Sequence, residues 1–164
     1  SDVYKRQVLY VNKTIQDRFW PSMYSAYKGR EGLAQTHEGL GQRDTPALHA
    51  FGQQIEFLRE IGQDKIEERS GNIATEIIEE LQKTKDVYIY TPKESTLRSA
   101  VVTFRPANLE PAKVVKALEK DGIVAASQGG EDWAGVRFSP HFYNSNSDVD
   151  RAVGAIRRYL RKGL

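Results

Sequence analysis

The order of the secondary-structure patterns after Lys85 restricts the fold of this chain more than any other feature of its sequence. Short strand-like runs of apolar residues alternate there with two amphipathic helices. The predicted elements are, in order, strands at Val87–Tyr90 and Ser99–Phe104, a helix from Pro111 that Gly122 ends, strands at Ile123–Ala126 and Ala134–Ser139, and a helix capped by Ser147 and Asp150. This β-β-α-β-β-α order predicts a small open sheet covered by two helices, which is an α+β module.

The first 45 residues contain little regular structure by pattern. Val8–Val11 has the composition of a strand, and Asn12 or Thr14 caps a short helix after it. Residues 20–45 follow neither a helical nor a strand period, and their interspersed glycine and aromatic residues favour a functional loop over disorder.

Two amphipathic helices follow. The first carries apolar residues from Leu48 to Leu58 at helical spacing and ends at Gly62. A capping box of Asp64 and Glu67 opens the second helix. The domains predicted from these patterns are a polar terminal stretch at 1–7, a first domain at 8–70 and the α+β module at 71–164.

Composition excludes several classes of protein. The chain has 164 residues, with 24 Lys and Arg against 22 Asp and Glu, and this near-balance argues against a nucleic-acid binder. The basic residues within Arg157–Lys162 complement the dipole at the end of the last helix. There is no cysteine, which excludes disulfides, thiolate metal sites and a cysteine nucleophile in this chain. Apolar runs are short and no leader opens the chain, so we expect a cytoplasmic protein without a membrane segment.

The segment Gly135–Asn144 carries the clearest candidate for chemistry. On a strand, Val136 and Phe138 face the core and Arg137 faces away from it. A rigidly held arginine presents two parallel N–H groups to a carboxylate, whereas the alternative is an arginine that only faces solvent. His141 has no second ligand at metal spacing, so we interpret it as a packed loop residue and expect no metal.

Several segments together resemble one family in the family's order. Val136–Asn144, followed by Asp148–Asp150, resembles the C-terminal signature of the class V aminotransferases. Gly41–Asp44 and Ile61–Gly62 resemble the end of that family's large domain, and Val8–Val11 resembles the strand after its active-site lysine. The resemblance implies an α/β fragment of a fold type I enzyme that depends on pyridoxal phosphate (PLP), in which the end of the large domain precedes the small α+β domain.

The resemblance also implies roles for individual residues. Arg137 stands where the family binds the α-carboxylate of its amino-acid substrate. Gly41, Gln42 and Arg43 stand in the loop that reaches the cofactor phosphate of the neighbouring subunit in a homodimer, and Gln42 replaces a threonine of the family. The amide of Gly41 and the guanidinium of Arg43 suit an anion, and an ion pair of Arg43 with Asp44 or with an acid at the start of the helix is the equal alternative.

The same resemblance implies that parts of the enzyme are missing. The family's cofactor-bonding lysine precedes Val8–Val11, and Ser1–Gln7 does not match the sequence expected there, so we expect the fragment alone to be inactive. Ala126–Trp133 has no cysteine where cysteine desulfurases carry the one that forms the persulfide. The reactions left open are transamination, epimerisation and elimination at the α-carbon of an amino acid.

The helix at Ala47–Ile61 is expected to have an exposed apolar face, because in a fragment it lacks the sheet on which it packs. The alternative is a non-catalytic α+β module that binds a small molecule or a protein partner. The long loop and the isolated strand at Val8–Val11 argue against that alternative, because a free-standing module has no need of them.

Overall fold

The computed structural model describes residues 9–20, 33, 37, 44–130 and 133–164. The helices are α1 (Thr45–Ile61), α2 (Gln63–Gln82), α3 (Pro111–Lys120) and α4 (Asn146–Lys162). The strands are β1 (Val87–Ile89), β2 (Val102–Pro106), β3 (Ala126–Gln128) and β4 (Gly135–Phe138). Short 3-10 helices span Lys13–Arg18 and Ser95–Leu97. The chain divides into two compact units, Ser1–Gln53 and Gln54–Leu164. The domain boundaries predicted at 7/8 and 70/71 stay predictions.

The second unit contains one four-stranded antiparallel sheet. Its strand order is β1-β2-β4-β3, so β2 and β4 are central and β1 and β3 are edges. Phe104 of β2 is paired with Val136 of β4, and both face the helices. The predicted β-β-α-β-β-α order and the α+β module are therefore confirmed.

The core of this unit lies between the sheet and three helices. Phe104 and Val136 are fully buried, together with Ile73 from α2, Leu118 from α3 and Ile156 from α4. Burial of each such side chain contributes roughly 1.5–3 kcal/mol to folding. The prediction gave the sheet two covering helices, and the structure adds α2 as a third.

The start of α2 differs from the prediction. Gly62 has a φ of 95° and comes directly before the first helical residue, Gln63. The N–H of Gly62 donates to the carbonyl oxygen of Leu58 at 3.1 Å and thereby closes α1. Gly62 is also the N-cap of α2, since its carbonyl oxygen accepts from the N–H of Ile66 at 3.1 Å, and glycine has no side chain that could cap the helix. The predicted capping box of Asp64 and Glu67 is wrong, since no side chain caps this helix.

Two strands start later in the chain than predicted. β3 starts at Ala126 instead of Ile123, because the N–H of Ile123 donates to the carbonyl oxygen of Leu118 at 2.9 Å and closes α3. β2 starts at Val102 instead of Ser99, and the N–H of Val101 donates to the Ser99 hydroxyl at 3.3 Å instead of to a neighbouring strand. In both cases a local hydrogen bond uses a backbone N–H that the prediction had assigned to a strand.

The cap of α4 lies two residues before the predicted one. The Ser145 hydroxyl accepts from the N–H of Asp148 at 3.3 Å, and Asp148 Oδ2 accepts from the N–H of Ser145 at 2.9 Å. Ser147 and Asp150, the predicted pair, lie inside the first turns of the helix. The hydrogen bonds from the backbone and side chain of Ser145 hold the pKa of Asp148 below its ordinary value.

We expect Ser145→Ala to lower the free energy of unfolding by about 1 kcal/mol. The folded pKa of Asp148 is lowered, so its stabilising contribution is complete above the unfolded pKa and is lost as the pH falls through the folded pKa. Denaturant unfolding between about pH 7 and about pH 3 measures both effects, and the difference between the two proteins should narrow at the acid end, because only the hydrogen bond from the Ser145 hydroxyl to the Asp148 carboxylate depends on pH. Ser147→Ala is the matched control, and an equal loss in that control would contradict the cap at Ser145.

Much of the first unit lies outside the described residues. Leu9–Val11 belongs to none of the described strands, so the strand predicted at Val8–Val11 is wrong for those residues. A strand requires a hydrogen-bonded neighbour, and the sheet register includes none for this segment. The predicted cap at Asn12 is confirmed, because its Oδ1 accepts from the N–H of Thr14 at 3.0 Å.

Helix α1 presents an exposed apolar face. None of its 17 residues, all of which are described, is buried. Leu48, Phe51 and Ile55 share that face and are 46%, 40% and 43% exposed. This confirms the exposure predicted for the helix at Ala47–Ile61. Neither α1 nor any other described helix combines the length and apolarity needed to cross a membrane.

Candidate functional site

Arg137 lies on the face of the sheet opposite the core. Its neighbours on β4, Val136 and Phe138, are buried, so the predicted alternation along this strand is confirmed. The half-buried Arg137 guanidinium donates from Nη1 to Gln128 Oε1 at 2.8 Å. Its Nε is buried and has no hydrogen-bond partner in the part of the chain that the structure describes. The guanidinium therefore retains donors for an external acceptor.

The register of the sheet brings Gln128 to Arg137. Ala126 of β3 is paired with Arg137, and Gln128 is paired with Gly135. Gln128 and Arg137 are therefore diagonal neighbours on one face, within reach of long side chains. Gly135 adds no side chain between them, and a Cβ there would lie 3.2 Å from Cε2 of the Tyr90 ring. The Tyr90 ring thus lies close to Gly135, next to the strand position of Arg137.

The turn after β3 fixes the position of Gln128. Gly129 has a φ of 97°, and a Cβ added there would lie 2.5 Å from the carbonyl oxygen of Trp133. Only glycine fits both the backbone angle and this close approach. The Trp133 ring packs over Gly129 with about half of its surface exposed. The close packing of Trp133 on Gly129 therefore holds the strand end that carries Gln128.

The loop after β4 is attached to α2. The His141 ring stacks on Tyr143 with centroids 5.0 Å apart and an angle of 20°. The N–H of His141 donates to Asn144 Oδ1 at 2.9 Å, and Arg69 Nη2 donates to the carbonyl oxygen of Asn144 at 3.0 Å. His141 therefore has packing contacts within its loop, as the sequence led us to expect. Nothing in the spacing of α2 distinguishes Arg69, so its contact with this loop could not be predicted from the sequence.

A cavity of about 660 Å³ opens beside the end of β4. Its lining includes Arg137, Ser139 and Pro140, and Ile77 of α2 and Val149 of α4 contribute apolar surface. Small-molecule sites combine apolar walls with a few polar groups in volumes of this order. The cavity is therefore large enough for a ligand the size of an amino acid.

The residues predicted to contact the cofactor phosphate, Gly41, Gln42 and Arg43, lie outside the described residues. Asp44, the alternative partner of Arg43, accepts from the N–H of Ala47 at 3.1 Å at the start of α1. Arg137, with a buried Nε that lacks an acceptor among the described residues, fits a carboxylate.

The family of the chain follows from its match to known proteins. A family model for aminotransferase class V matches residues 8–152. The chain belongs to the class V aminotransferase family. Members of this family depend on PLP, and one solved structure with the same fold, a mutant of C-DES, holds glycine covalently linked to that cofactor. The predicted family and cofactor are confirmed.

Two curated relatives are probable cysteine desulfurases. A probable cysteine desulfurase of Halalkalibacterium halodurans is 30% identical over 117 residues, which are 66% of this chain and 28% of that protein. A probable cysteine desulfurase of Staphylococcus epidermidis is 26% identical over 113 residues, which are 63% of this chain and 27% of that protein. The chain thus spans little more than a quarter of the length of these relatives.

Solved structures share the fold. The apo cysteine desulfurase of Thermococcus onnurineus NA1 has a TM-score of 0.80 and 22% identity, covering 94% of this chain and 42% of that one. The cysteine desulfurase CsdA of Escherichia coli has a TM-score of 0.77 and 19% identity, covering 93% and 41%. The chain is accordingly part of a fold type I architecture, as predicted.

Proposed function

We propose that this chain supplies the small-domain side of the active site in a PLP-dependent enzyme that acts on an amino acid at its α-carbon. Arg137 binds the α-carboxylate of the substrate in this proposal. The observation that carries it is the half-buried Arg137 guanidinium, whose one described partner is the neutral Gln128 and whose buried Nε lacks an acceptor among the described residues. A substrate carboxylate that accepts from two N–H groups of the guanidinium would satisfy its free donors, and the carboxylate would stay ionised.

In this proposal, PLP and the residues of this chain have different roles. When bound, PLP supplies the electron sink for chemistry at the α-carbon. The chain fixes the substrate by its carboxylate, because a strand in the centre of a sheet holds Arg137 in one direction. We propose that Gly41, Gln42 and Arg43 bind the cofactor phosphate of the neighbouring subunit in a cytoplasmic homodimer. The family resemblance is the support for that part.

The proposed reaction is transamination, epimerisation or elimination. The curated relatives are described as probable cysteine desulfurases, but the loop Ala126–Trp133 has no cysteine, and neither has the rest of this chain. A thiolate for persulfide formation is therefore not available from this loop. The three remaining reactions all begin with a substrate held by its carboxylate, so the role of Arg137 is the same in each.

The experiment uses the complete protein that contains this chain, with PLP added. We expect a visible absorbance band that borohydride abolishes, and peptide mapping should locate the reduced cofactor on a lysine. The isolated chain, assayed in parallel, is expected to show no turnover. A colourless complete protein without a lysine adduct would contradict the enzyme and leave the non-catalytic α+β module as the better account.

A further inference from the structure

A second arginine lies on the same face of the sheet as Arg137. The register pairs Thr103 of β2 with Arg137 of β4. Arg105 is two residues from Thr103 on β2 and therefore lies on the same face, as a diagonal neighbour of Arg137. Such neighbours have Cα atoms about 7–8 Å apart, and long side chains bridge that distance.

Neither arginine has an acidic partner within the described residues. Arg105 is half-buried and makes no hydrogen bond or ion pair there, and Arg137 bonds only to the neutral Gln128. The strand positions on this face are Tyr88, Thr103, Arg105, Ala126, Gln128, Gly135 and Arg137. This face therefore carries two positive charges and no negative charge.

Three of the other described arginines form ion pairs, whereas Arg69, Arg98 and Arg151 donate to neutral oxygen atoms. The ion pairs are Arg59–Glu56, Arg157–Glu80 and Arg158–Asp121. Two uncompensated guanidinium groups side by side on a half-buried face repel each other, and a ligand with two anionic groups relieves that repulsion. The Thr103 methyl and the Tyr90 ring lie over Gly135, where an added Cβ would meet them at 3.1 and 3.2 Å, so these two groups border the surface beside the guanidinium groups.

We propose that the open face of the sheet binds a ligand with two carboxylates, and that the substrate is an amino acid with an acidic side chain. Arg137 takes the α-carboxylate and Arg105 takes the side-chain carboxylate. The identification of the ligand as a substrate rests on the function proposed above. The Tyr90 ring and the Thr103 methyl, which border Gly135, contact the carbon chain between the two carboxylates.

The first test needs no cofactor and uses the chain itself. The arginine Nε–Hε signals are followed by NMR during titration with acetate or with glutarate, which carries two carboxylates. We expect acetate to shift Arg137 alone, and glutarate to shift both arginines and to bind about tenfold more tightly. Equal affinity for the two probes, or a glutarate complex that leaves the Arg105 signal unmoved, would overturn the proposal.

Variants separate a specific contact from general charge. Arg105→Ala should remove the preference for glutarate and keep acetate binding, and Arg105→Lys should keep part of the preference. Arg161→Ala removes the same charge from an exposed position on α4 and should change neither affinity. If Arg105→Ala loses the folded spectrum, Arg105→Lys and Arg105→Gln decide the question. A preference for glutarate that Arg105→Ala, Arg105→Lys and Arg105→Gln all leave unchanged overturns the proposal.

The complete PLP-loaded protein separates this proposal from the proposed function. Arg105→Ala should lower kcat/KM about tenfold for glutamate or aspartate and leave it unchanged for alanine. An equal effect on all three amino acids overturns the substrate class while the enzyme stands. Weaker binding of PLP in Arg105→Ala would assign Arg105 to the cofactor phosphate and would also overturn the proposed substrate class. A glutarate preference in a protein without a PLP adduct would overturn the enzyme and keep the two-carboxylate site.

Discussion

Replacing Arg137 by alanine should lower kcat/KM for the amino-acid substrate by about a hundredfold or more in the complete PLP-loaded protein. The reason is the loss of two charge-assisted hydrogen bonds, each worth roughly 1.5–3 kcal/mol. Most of the loss should appear in KM, because the carboxylate contact exists before the reaction begins. Steady-state kinetics with the amino acid as the varied substrate measures it.

Two further variants make the Arg137 result interpretable. Arg137→Lys keeps the charge but loses the planar pair of donors, so its kcat/KM should lie between wild type and Arg137→Ala. Arg161→Ala removes the same side chain from an exposed position and should be indistinguishable from wild type. Unchanged kcat/KM in a folded, PLP-loaded Arg137→Ala protein would contradict the role of Arg137.

Changing Gln128 to glutamate should have an effect nearly as large as removing Arg137. A carboxylate at this position would lie about 2.8 Å from Arg137 Nη1 and would form an ion pair with it. That internal pair competes with the substrate carboxylate, so we expect kcat/KM to fall about a hundredfold. Gln128→Ala removes one hydrogen bond from the guanidinium to a neutral amide and should cost about threefold to tenfold.

The neighbouring Ser127 provides the control for the added charge. Ser127 is exposed and is paired with Val136, so it lies on the opposite face of the sheet from Arg137. Ser127→Glu adds the same charge without facing the guanidinium and should leave kcat/KM within about twofold of wild type. If Ser127→Glu and Gln128→Glu were equally impaired, the neutral contact from Gln128 would have no special part in the site.

The strand that carries the site was predictable from local sequence. Alternation along Val136, Arg137 and Phe138 was enough to direct the arginine away from the core, because strand side chains change faces at every residue. The exposure of α1 was predictable from the family resemblance, since the sheet on which this helix packs in the family is not among the predicted elements. Patterns of period 2 and 3.6 carry this information without any knowledge of tertiary contacts.

Gln128 and Arg105 could not be found in that way. Their relation to Arg137 depends on which strands are neighbours and in which register, and a shift of one residue would move either side chain to the other face. Arg105 comes from β2 and Gln128 from β3, the two strands that flank β4. Neither residue stands out in the local sequence pattern. The partner of a known site residue across a sheet therefore requires the three-dimensional register.

The cap of α4 was misplaced for a local reason. The sequence contains the same pattern in two frames, Ser145 with Asp148 and Ser147 with Asp150, so composition alone does not choose between them. The preceding turn decides, because the N–H of Asn144 donates to the carbonyl oxygen of His141 at 2.9 Å and ends the loop just before Ser145. Two residues of the loop thus determined where the helix begins.

The most direct test of the central claim compares an amino acid with the amine that lacks its α-carboxylate. Absorbance titrations of the complete PLP-loaded protein with glutamate against 4-aminobutanoate, and with alanine against ethylamine, give the affinity of each. We predict that the amino acid of each pair binds at least about tenfold more tightly, and that Arg137→Ala reduces this preference to about one. Equal affinities in the wild-type protein, or a preference that survives in Arg137→Ala, would contradict the binding of the α-carboxylate by Arg137.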